Sequence, residues 1–449
     1  MQLPGIVMKF GGTSVESAAA IRAAAAIVLR VLPRRPLVVV SAASGVTDAL
    51  LRLLEAAPRG EWHAGLKLLV ARHRAILADL GLATNLLDAR FQELHDLCHG
   101  IELLREVTPR ISDLFVASGE LLLAPIFAAH LSGNGVVARA WHAGDLGLVT
   151  DDRFGRARPV AETYQRIPAT LAETDEHLAV VTGFAGRTAT GEATTLGRGG
   201  SDYSASIFAR AVNAEELQIW TDVDGILTAD PRIIPRARLI ERMSFREASE
   251  LAFSGAKVLH PQTITPALEG NIPVRVLNSK APDRPGTYIL GDVPGDETPP
   301  HRIRAIAHKL GVRVVTIISP RMVARHGFIA RIASVFDRHA VSIDMISTSE
   351  VSVSLTTEES MARLQPSIEE LRTFLSVEVN DRRGQVSIVG GRLAENQKVF
   401  GEVLHTIAEI GGAIEMISYG ATGTNLSLLM PEERVVPVVT ALHRFYFER

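Results

Sequence analysis

Apolar and polar positions follow one another along this chain in the rhythm of strand, glycine-rich turn and helix. Ile6-Val7-Met8 is a short apolar run that ends in Lys9-Phe10-Gly11-Gly12-Thr13-Ser14. An alanine-rich stretch from about Ser17 to Leu32 predicts a helix, stopped by Pro33 and Pro36. Leu37-Val38-Val39-Val40 is then a continuous apolar run of the kind buried on both faces of a parallel sheet. Residues 62–132 have mostly helical periodicity. Strands are predicted at Val136–Ala140, Leu178–Thr182 and Leu217–Trp220, and helices near Tyr203–Ala211 and Phe245–Ser254. This alternation predicts an α/β layer fold built on a mostly parallel sheet.

Proline and glycine then crowd together, in Ala281-Pro282-Asp283-Arg284-Pro285-Gly286 and again in Pro294-Gly295-Asp296-Glu297-Thr298-Pro299-Pro300. Such density marks a linker and sets the expected boundary near 295, between domains at 1–295 and 296–449. The second part contains an internal repeat. Ile343-Asp344-Met345-Ile346-Ser347 returns 71 residues later as Ile414-Glu415-Met416-Ile417-Ser418, and the same offset carries Val315–Ile318 onto Val386–Val389. Each copy has a helical stretch (Phe328–His339, Val399–Ile410) and a following alternating strand (Val351–Leu355, Asn425–Leu429). The repeat units, about 312–380 and 384–449, therefore read as two β-α-β-β modules suited to ligand sensing or assembly.

Composition narrows the function. The 449 residues are 47% hydrophobic and 22% charged, with a net charge of −3 and one cysteine. That is the make-up of a globular chain. A disulfide framework or Cys-rich metal module is excluded, and a reducing cytoplasmic setting is expected. Without a Lys/Arg-rich tract there is no electrostatic footprint for nucleic acid or an anionic membrane. The Leu121–Leu131 stretch is too short to span a bilayer. Small molecules and copies of the chain itself are the expected partners.

Three loops carry chemistry. In Lys9–Ser14, two glycines after a strand let backbone amides approach an anion, and Lys9 adds a point charge; Thr13 and Glu16 have capping-box spacing at the helix start. In Thr194–Ala205, three glycines surround Arg198, whose guanidinium suits a carboxylate, and Ser201 or Asp202 is placed to cap the next helix. In Trp220–Arg232, a strand runs into a polar loop at the ligand edge of a parallel sheet. Its Asp222-Val223-Asp224-Gly225 lacks the later glutamate of a calcium loop. Gly133-Asn134-Gly135 precedes a strand and so is a turn, and His95, Cys98 and His99 lack the further ligand a metal site needs. No metal-binding residues are predicted.

Together these loops resemble the amino-acid kinase family, and within it the monofunctional aspartokinases. Lys9–Ser14 looks like the family's opening phosphate loop, Ser41-Ala42-Ala43-Ser44-Gly45-Val46-Thr47-Asp48 its second loop, and Ser118-Gly119-Glu120 its element for the substrate amine. Leu196–Ala205 is similar to the family signature, Thr221–Arg232 and Ala256–Pro261 to its nucleotide loops, and the repeat to tandem ACT domains. The resemblance implies a three-layer kinase domain followed by two ferredoxin-like ACT domains. It implies transfer of the ATP γ-phosphoryl, with Mg²⁺ on the phosphates, to the β-carboxylate of L-aspartate. Lys9 and Asp202 would be catalytic. Ser41, Thr47, Glu120, Arg198 and Ser201 would hold aspartate. Lys9, Gly11, Gly12, Thr221, Asp222, Leu227, Arg232 and Lys257 would meet ATP, Leu227 standing where the family commonly has an aromatic residue.

Ser342–Ser352 resembles the effector site of lysine-inhibited aspartokinases. The resemblance assigns Met322, Phe328, Ile329, Ser342, Ile343, Asp344, Ser349 and Glu350 to a lysine pocket, with Asp344 on the ammonium, and implies a homodimer or homotetramer assembled through the ACT domains. Two other readings stay open: a non-catalytic amino-acid sensor, and a carboxylate kinase acting on glutamate or acetylglutamate.

Overall fold

The computed structural model describes residues 3–174, 177–255, 261–291, 303–318, 327–393, 397–420 and 423–448. Its residues group into two compact units. The first takes Met1–Ile226, Glu241–Phe245 and Val258–Val293, and the second takes Leu227–Ile240, Arg246–Lys257 and Pro294–Arg449. The expected boundary near 295 lies outside the described residues.

The first unit is built on an eight-stranded sheet in the order Ala138–Trp141, Leu178–Thr182, Pro36–Val40, Ile6–Phe10, Glu216–Thr221, Val274–Asn278, Thr287–Leu290, Arg242–Ser244. The first six strands run parallel, Ile6–Phe10 lying between Pro36–Val40 and Glu216–Thr221. The strands Ile6–Phe10 and Pro36–Val40 are buried along their whole length, which is why, Lys9 apart, they read as apolar runs. The helix Ala18–Arg30 follows the first strand. Ser17 caps it, its side chain accepting from the Ala20 amide, so the cap expected at Thr13 and Glu16 is displaced; Thr13 lies instead in the short 3₁₀ turn Gly12–Ser14. Pro109–Val116 and Ser118–Gly133 form a nearly continuous helical stretch of membrane-spanning length and hydropathy; 72% of its apolar window is buried inside the fold, as in a core helix. A second, three-stranded sheet (Val149–Thr150, Ala185–Thr188, Ala193–Thr195) was not evident in the pattern, because its strands are too short to show a period.

The second unit carries a six-stranded antiparallel sheet in the order Ile346–Thr348, Ser352–Thr357, Ile303–Ile318, Ser376–Gly390, Asn425–Pro431, Met416–Tyr419. The two repeats are visible in it, but each is larger than β-α-β-β. The first copy gains the helix Met361–Arg372 and the strand 376–383, which pairs with 312–318. The second gains the helix Glu432–Phe447, and its matching strand, Ile303–Lys309, comes from ahead of the first copy to pair with Gln385–Gly390. The second module is thus discontinuous in sequence and the first is inserted into it. The segment Leu227–Ile240 adds Ala229 and Ile234 to the core formed by Ile306, Val386, Ile388, Val435 and Leu442.

Candidate active site

The loops that follow the parallel strands all emerge at one edge of the first unit's sheet, and they are bonded to one another there. The Gly11 amide donates to Trp220 O (3.0 Å), the Ser41 amide to Phe10 O (3.1 Å), the Ser44 amide to Gly12 O (3.1 Å) and the Gly183 amide to Val40 O (2.8 Å). Gly12 is there for want of space. A Cβ on it would stand 2.9 Å from Ala42 O and 3.2 Å from Ser44 N.

A cavity of about 560 Å³ opens at this edge, lined by Lys9, Gly12, Ser41, Thr47, Glu120, Arg198, Ser201 and Asp202 among others. The structure therefore brings together all five residues expected to hold aspartate and both expected to act on phosphate. Residues separated by up to 193 positions meet: Lys9 Nζ lies 2.6 Å from Asp202 Oδ1, at side chains only 10% and 18% exposed. Asp202 reaches Lys9 because it does not cap its helix. Gly199, in the left-handed conformation (φ 71°), occupies the N-cap of Gly200–Ala211 and leaves Ser201 and Asp202 in the first turn facing the cavity.

Glu120 is buried at the start of the Ser118–Gly133 helix, where Oε1 accepts from the Ala42 amide (3.0 Å) and Oε2 has no partner among the described residues. Burial pushes its carboxyl up to about 8, opposed by the Ala42 hydrogen bond and the Lys9 charge. A buried carboxyl with an unmatched oxygen at a cavity wall suits a cationic donor such as an amino acid's ammonium, which would favour its ionised form. Arg198 is exposed on the rim, with no ion pair to a described residue, and is free to meet a carboxylate. No cluster of three or more His, Cys, Asp or Glu side chains able to hold a metal exists among the described residues.

Two contributors carry no sequence signal. Asp113, buried in the Pro109–Val116 helix, accepts from the Gly155 amide (2.8 Å), the Thr195 amide (2.7 Å) and the Thr195 hydroxyl (2.8 Å). It ties two walls of the cavity together. Phe184 lines the cavity with φ at 64°, a conformation bulky residues seldom adopt and one held here by its neighbours.

The expected nucleotide contacts fall in different places. Thr221 ends the Glu216–Thr221 strand, its carbonyl accepting from the Ser279 amide (2.8 Å) and hydroxyl (3.0 Å), and Asp222 is exposed beside it. Leu227 and Arg232 belong to the segment grouped with the second unit, where Asp230 holds the Arg232 guanidinium at 2.6 Å. Lys257 lies outside the described residues.

Residues 4–278 match the amino acid kinase family, and residues 386–446 match the ACT domain. The chain is 37% identical to the lysine-sensitive aspartokinase 3 of Escherichia coli over 99% of both chains. The chain belongs to the aspartokinases. It is likewise 35% identical to aspartokinase 2, chloroplastic, of Arabidopsis thaliana, over 98% of this chain and 84% of that one. Among solved structures, E. coli aspartokinase III in complex with aspartate and ADP (R-state) superposes with a TM-score of 0.84 at 36% identity, covering 98% of this chain and 99% of that one. The same enzyme in complex with lysine and aspartate (T-state) gives 0.83. As an aspartokinase, the chain is an aspartate kinase, a phosphotransferase with a carboxyl acceptor, and carries an ACT regulatory region.

In that region Phe328 and Ile329 open the helix Phe328–Arg338, and Ser342, Ile343 and Asp344 precede the strand Ile346–Thr348. Ser349 closes the turn to Ser352, its hydroxyl 2.8 Å from that of Ser352, and Glu350 is exposed in it. Asp344 has a neighbour the sequence did not suggest: Lys309 Nζ, 4.0 Å away and also paired with Glu358. Burial raises the Asp344 carboxyl, against the pull of Lys309. Met322 lies outside the described residues.

Proposed function

We propose that the cavity holds L-aspartate with its ammonium on Glu120, its α-carboxylate on Arg198, and Thr47, Ser41 and Ser201 on the remaining oxygens. The reading is carried by one observation: a buried carboxyl with an oxygen unmatched among the described residues, and a guanidinium with no ion pair to a described residue, line the same cavity as the Lys9–Asp202 pair. The β-carboxylate then points toward Lys9, and ATP supplies the phosphoryl group. Lys9 neutralises charge on the transferring group, Asp202 keeps the lysine aimed, and the Gly11-Gly12 backbone leaves room for phosphate oxygens. The product is 4-phospho-L-aspartate. No covalent enzyme intermediate is required, since positioning and charge neutralisation are sufficient for phosphoryl transfer. Mg²⁺ held by the ATP phosphates would neutralise part of their charge. Thr221, Asp222, Leu227, Arg232 and Lys257 serve the nucleotide.

The effector is lysine, with Asp344 receiving its ε-ammonium in place of Lys309, and the ACT modules join chains into a homodimer or homotetramer. Support comes from the relatives: the E. coli enzyme is named lysine-sensitive and has been crystallised with lysine. Trapping the acyl phosphate as hydroxamate tests the whole reading. ATP-dependent product should form with aspartate and not with glutamate, and lysine should suppress it where threonine does not. Hydroxamate from glutamate, or indifference to lysine, would contradict the corresponding part.

A further inference from the structure

The second unit contains a hydrogen-bonded chain that neither catalysis nor effector binding accounts for. Thr228 Oγ1 lies 3.0 Å from His443 Nε2, and His443 Nδ1 lies 3.0 Å from Glu448 Oε1. Beyond it, Arg236 Nη1 stands 3.4 Å from Glu448 Oε2. Thr228 and Arg236 belong to the Leu227–Ile240 segment, whereas His443 and Glu448 sit on and just after the last helix, Glu432–Phe447. A Thr-His-Glu series invites comparison with a nucleophilic triad. Burial rules that out: His443 is fully buried and Thr228 is 6% exposed, so no substrate carbonyl can reach the hydroxyl.

What the chain does instead is hold the segment at its root. Every polar atom of Thr228 is used. Its amide donates to Arg238 O (2.9 Å), its carbonyl accepts from the Ile306 amide (2.8 Å), and its hydroxyl oxygen accepts from the Arg238 amide (2.9 Å). The hydroxyl proton is left for His443 Nε2, which places the imidazole proton on Nδ1, toward Glu448. Leu227 bridges to Leu239, and Ala229 and Ile234 are buried in the second module's core, so the segment is a closed loop pinned at both ends. Arg232, at its outer turn, is left 79% exposed and oriented by Asp230.

We propose that His443 is a positioning residue for nucleotide: through Thr228 it fixes the loop that presents Leu227 and Arg232, so the ACT unit's last helix sets the affinity for ATP and not that for aspartate. This rests on the reading of Leu227 and Arg232 as nucleotide contacts. It places a specific link between the regulatory fold and one substrate, since any repacking that moves the Glu432–Phe447 helix also moves Thr228.

The test uses the full chain and measures ADP binding by calorimetry, together with the KM values for ATP and aspartate and the melting temperature. Thr228→Val keeps the shape and removes the hydroxyl, with its bonds to both His443 and the Arg238 amide; it should weaken ADP binding and raise the ATP KM by at least about ten-fold, the size one lost buried hydrogen bond alone supports. The aspartate KM should stay within about two-fold, a split that general destabilisation would not produce. Thr228→Ser should restore wild-type values. His443→Leu, which removes only the bond to His443, should shift ADP binding and the ATP KM in the same direction as Thr228→Val, and the double variant should be no worse than Thr228→Val alone. Unchanged ADP binding in Thr228→Val, an equal rise in both KM values, or failure of Thr228→Ser to rescue would overturn the proposal. If His443→Leu does not fold, the Thr228 pair decides alone. Arg232→Ala tests the underlying reading separately: unchanged ADP affinity there would remove Arg232 as a contact, whatever Thr228→Val shows.

Discussion

Lys9 Nζ and Asp202 Oδ1 are 2.6 Å apart in the lining of the cavity, one near the end of the first strand and the other in the first turn of the Gly200–Ala211 helix. A nearly buried ion pair is costly to break from one side, because the remaining charge is left without a partner. Lys9→Met should therefore lower kcat by about 10²–10³, the range for loss of one electrostatic stabiliser. Asp202→Ala should lower both activity and melting temperature, since it strands the Lys9 ammonium. Steady-state kinetics and thermal denaturation check both. An Asp202→Ala variant as stable as wild type would show that the pair has no structural weight.

Glu120 gives the protein a pH dependence of definite sign. Its carboxyl is raised by burial from the ordinary 4.5 to about 8. Between those values the folded chain holds a proton that the unfolded chain does not, so stability falls as pH rises through this window and is greatest below it. Glu120→Gln should flatten that slope in denaturation measured from pH 5 to 8. At neutral pH the ammonium of aspartate displaces the proton, so binding should release a proton, read by calorimetry in buffers of different ionisation enthalpy. Binding without proton release would place the ammonium elsewhere.

Asp113 makes a prediction that no motif would suggest. Its two oxygens accept three hydrogen bonds from Gly155 and Thr195. Asp113→Ala leaves the buried Thr195 amide and hydroxyl unsatisfied and should cost about 1–3 kcal/mol of stability. Because both partners line the cavity, the aspartate KM should rise as well. Chemical denaturation and initial rates test the two effects together.

Gly12→Ala tests the phosphate loop. The added methyl would lie 2.9 Å from Ala42 O, against backbone that cannot swing aside. We expect kcat to fall by more than ten-fold, since a shift of about 1 Å in a reacting geometry can cost about 10² in rate. An active, stable Gly12→Ala enzyme would mean that the loop does not approach phosphate closely.

The α/β class and the loops that line the cavity were legible in the sequence, and the way the elements close around them was less so. Glycines beside charged residues at strand ends mark Lys9, Arg198 and Asp202, because few structural needs place those types together. Asp113 was invisible: a lone aspartate in a helical stretch looks like any solvated polar residue, and only tertiary structure reveals its three donors. Spacing alone points to a cap at Thr13 and Glu16, whereas Ser17 stands at the true helix start. The repeat disclosed two modules but not their closure. Ile303–Lys309 lies before the first copy, and its pairing with Gln385–Gly390 spans some 80 residues, a relation no local periodicity encodes. Leu227–Ile240 likewise reads as one loop of the catalytic half, yet it is grouped with the regulatory unit because its apolar residues are buried there.

Aspartate binding in the absence of turnover addresses the cavity most directly. Calorimetric titration of aspartate into the wild-type chain and into Arg198→Ala should show an affinity loss of about 10²-fold, the scale of a lost charge-assisted bidentate pair, with ADP affinity unchanged. Equal aspartate affinity in the two proteins would contradict the placement of the substrate between Arg198 and Glu120.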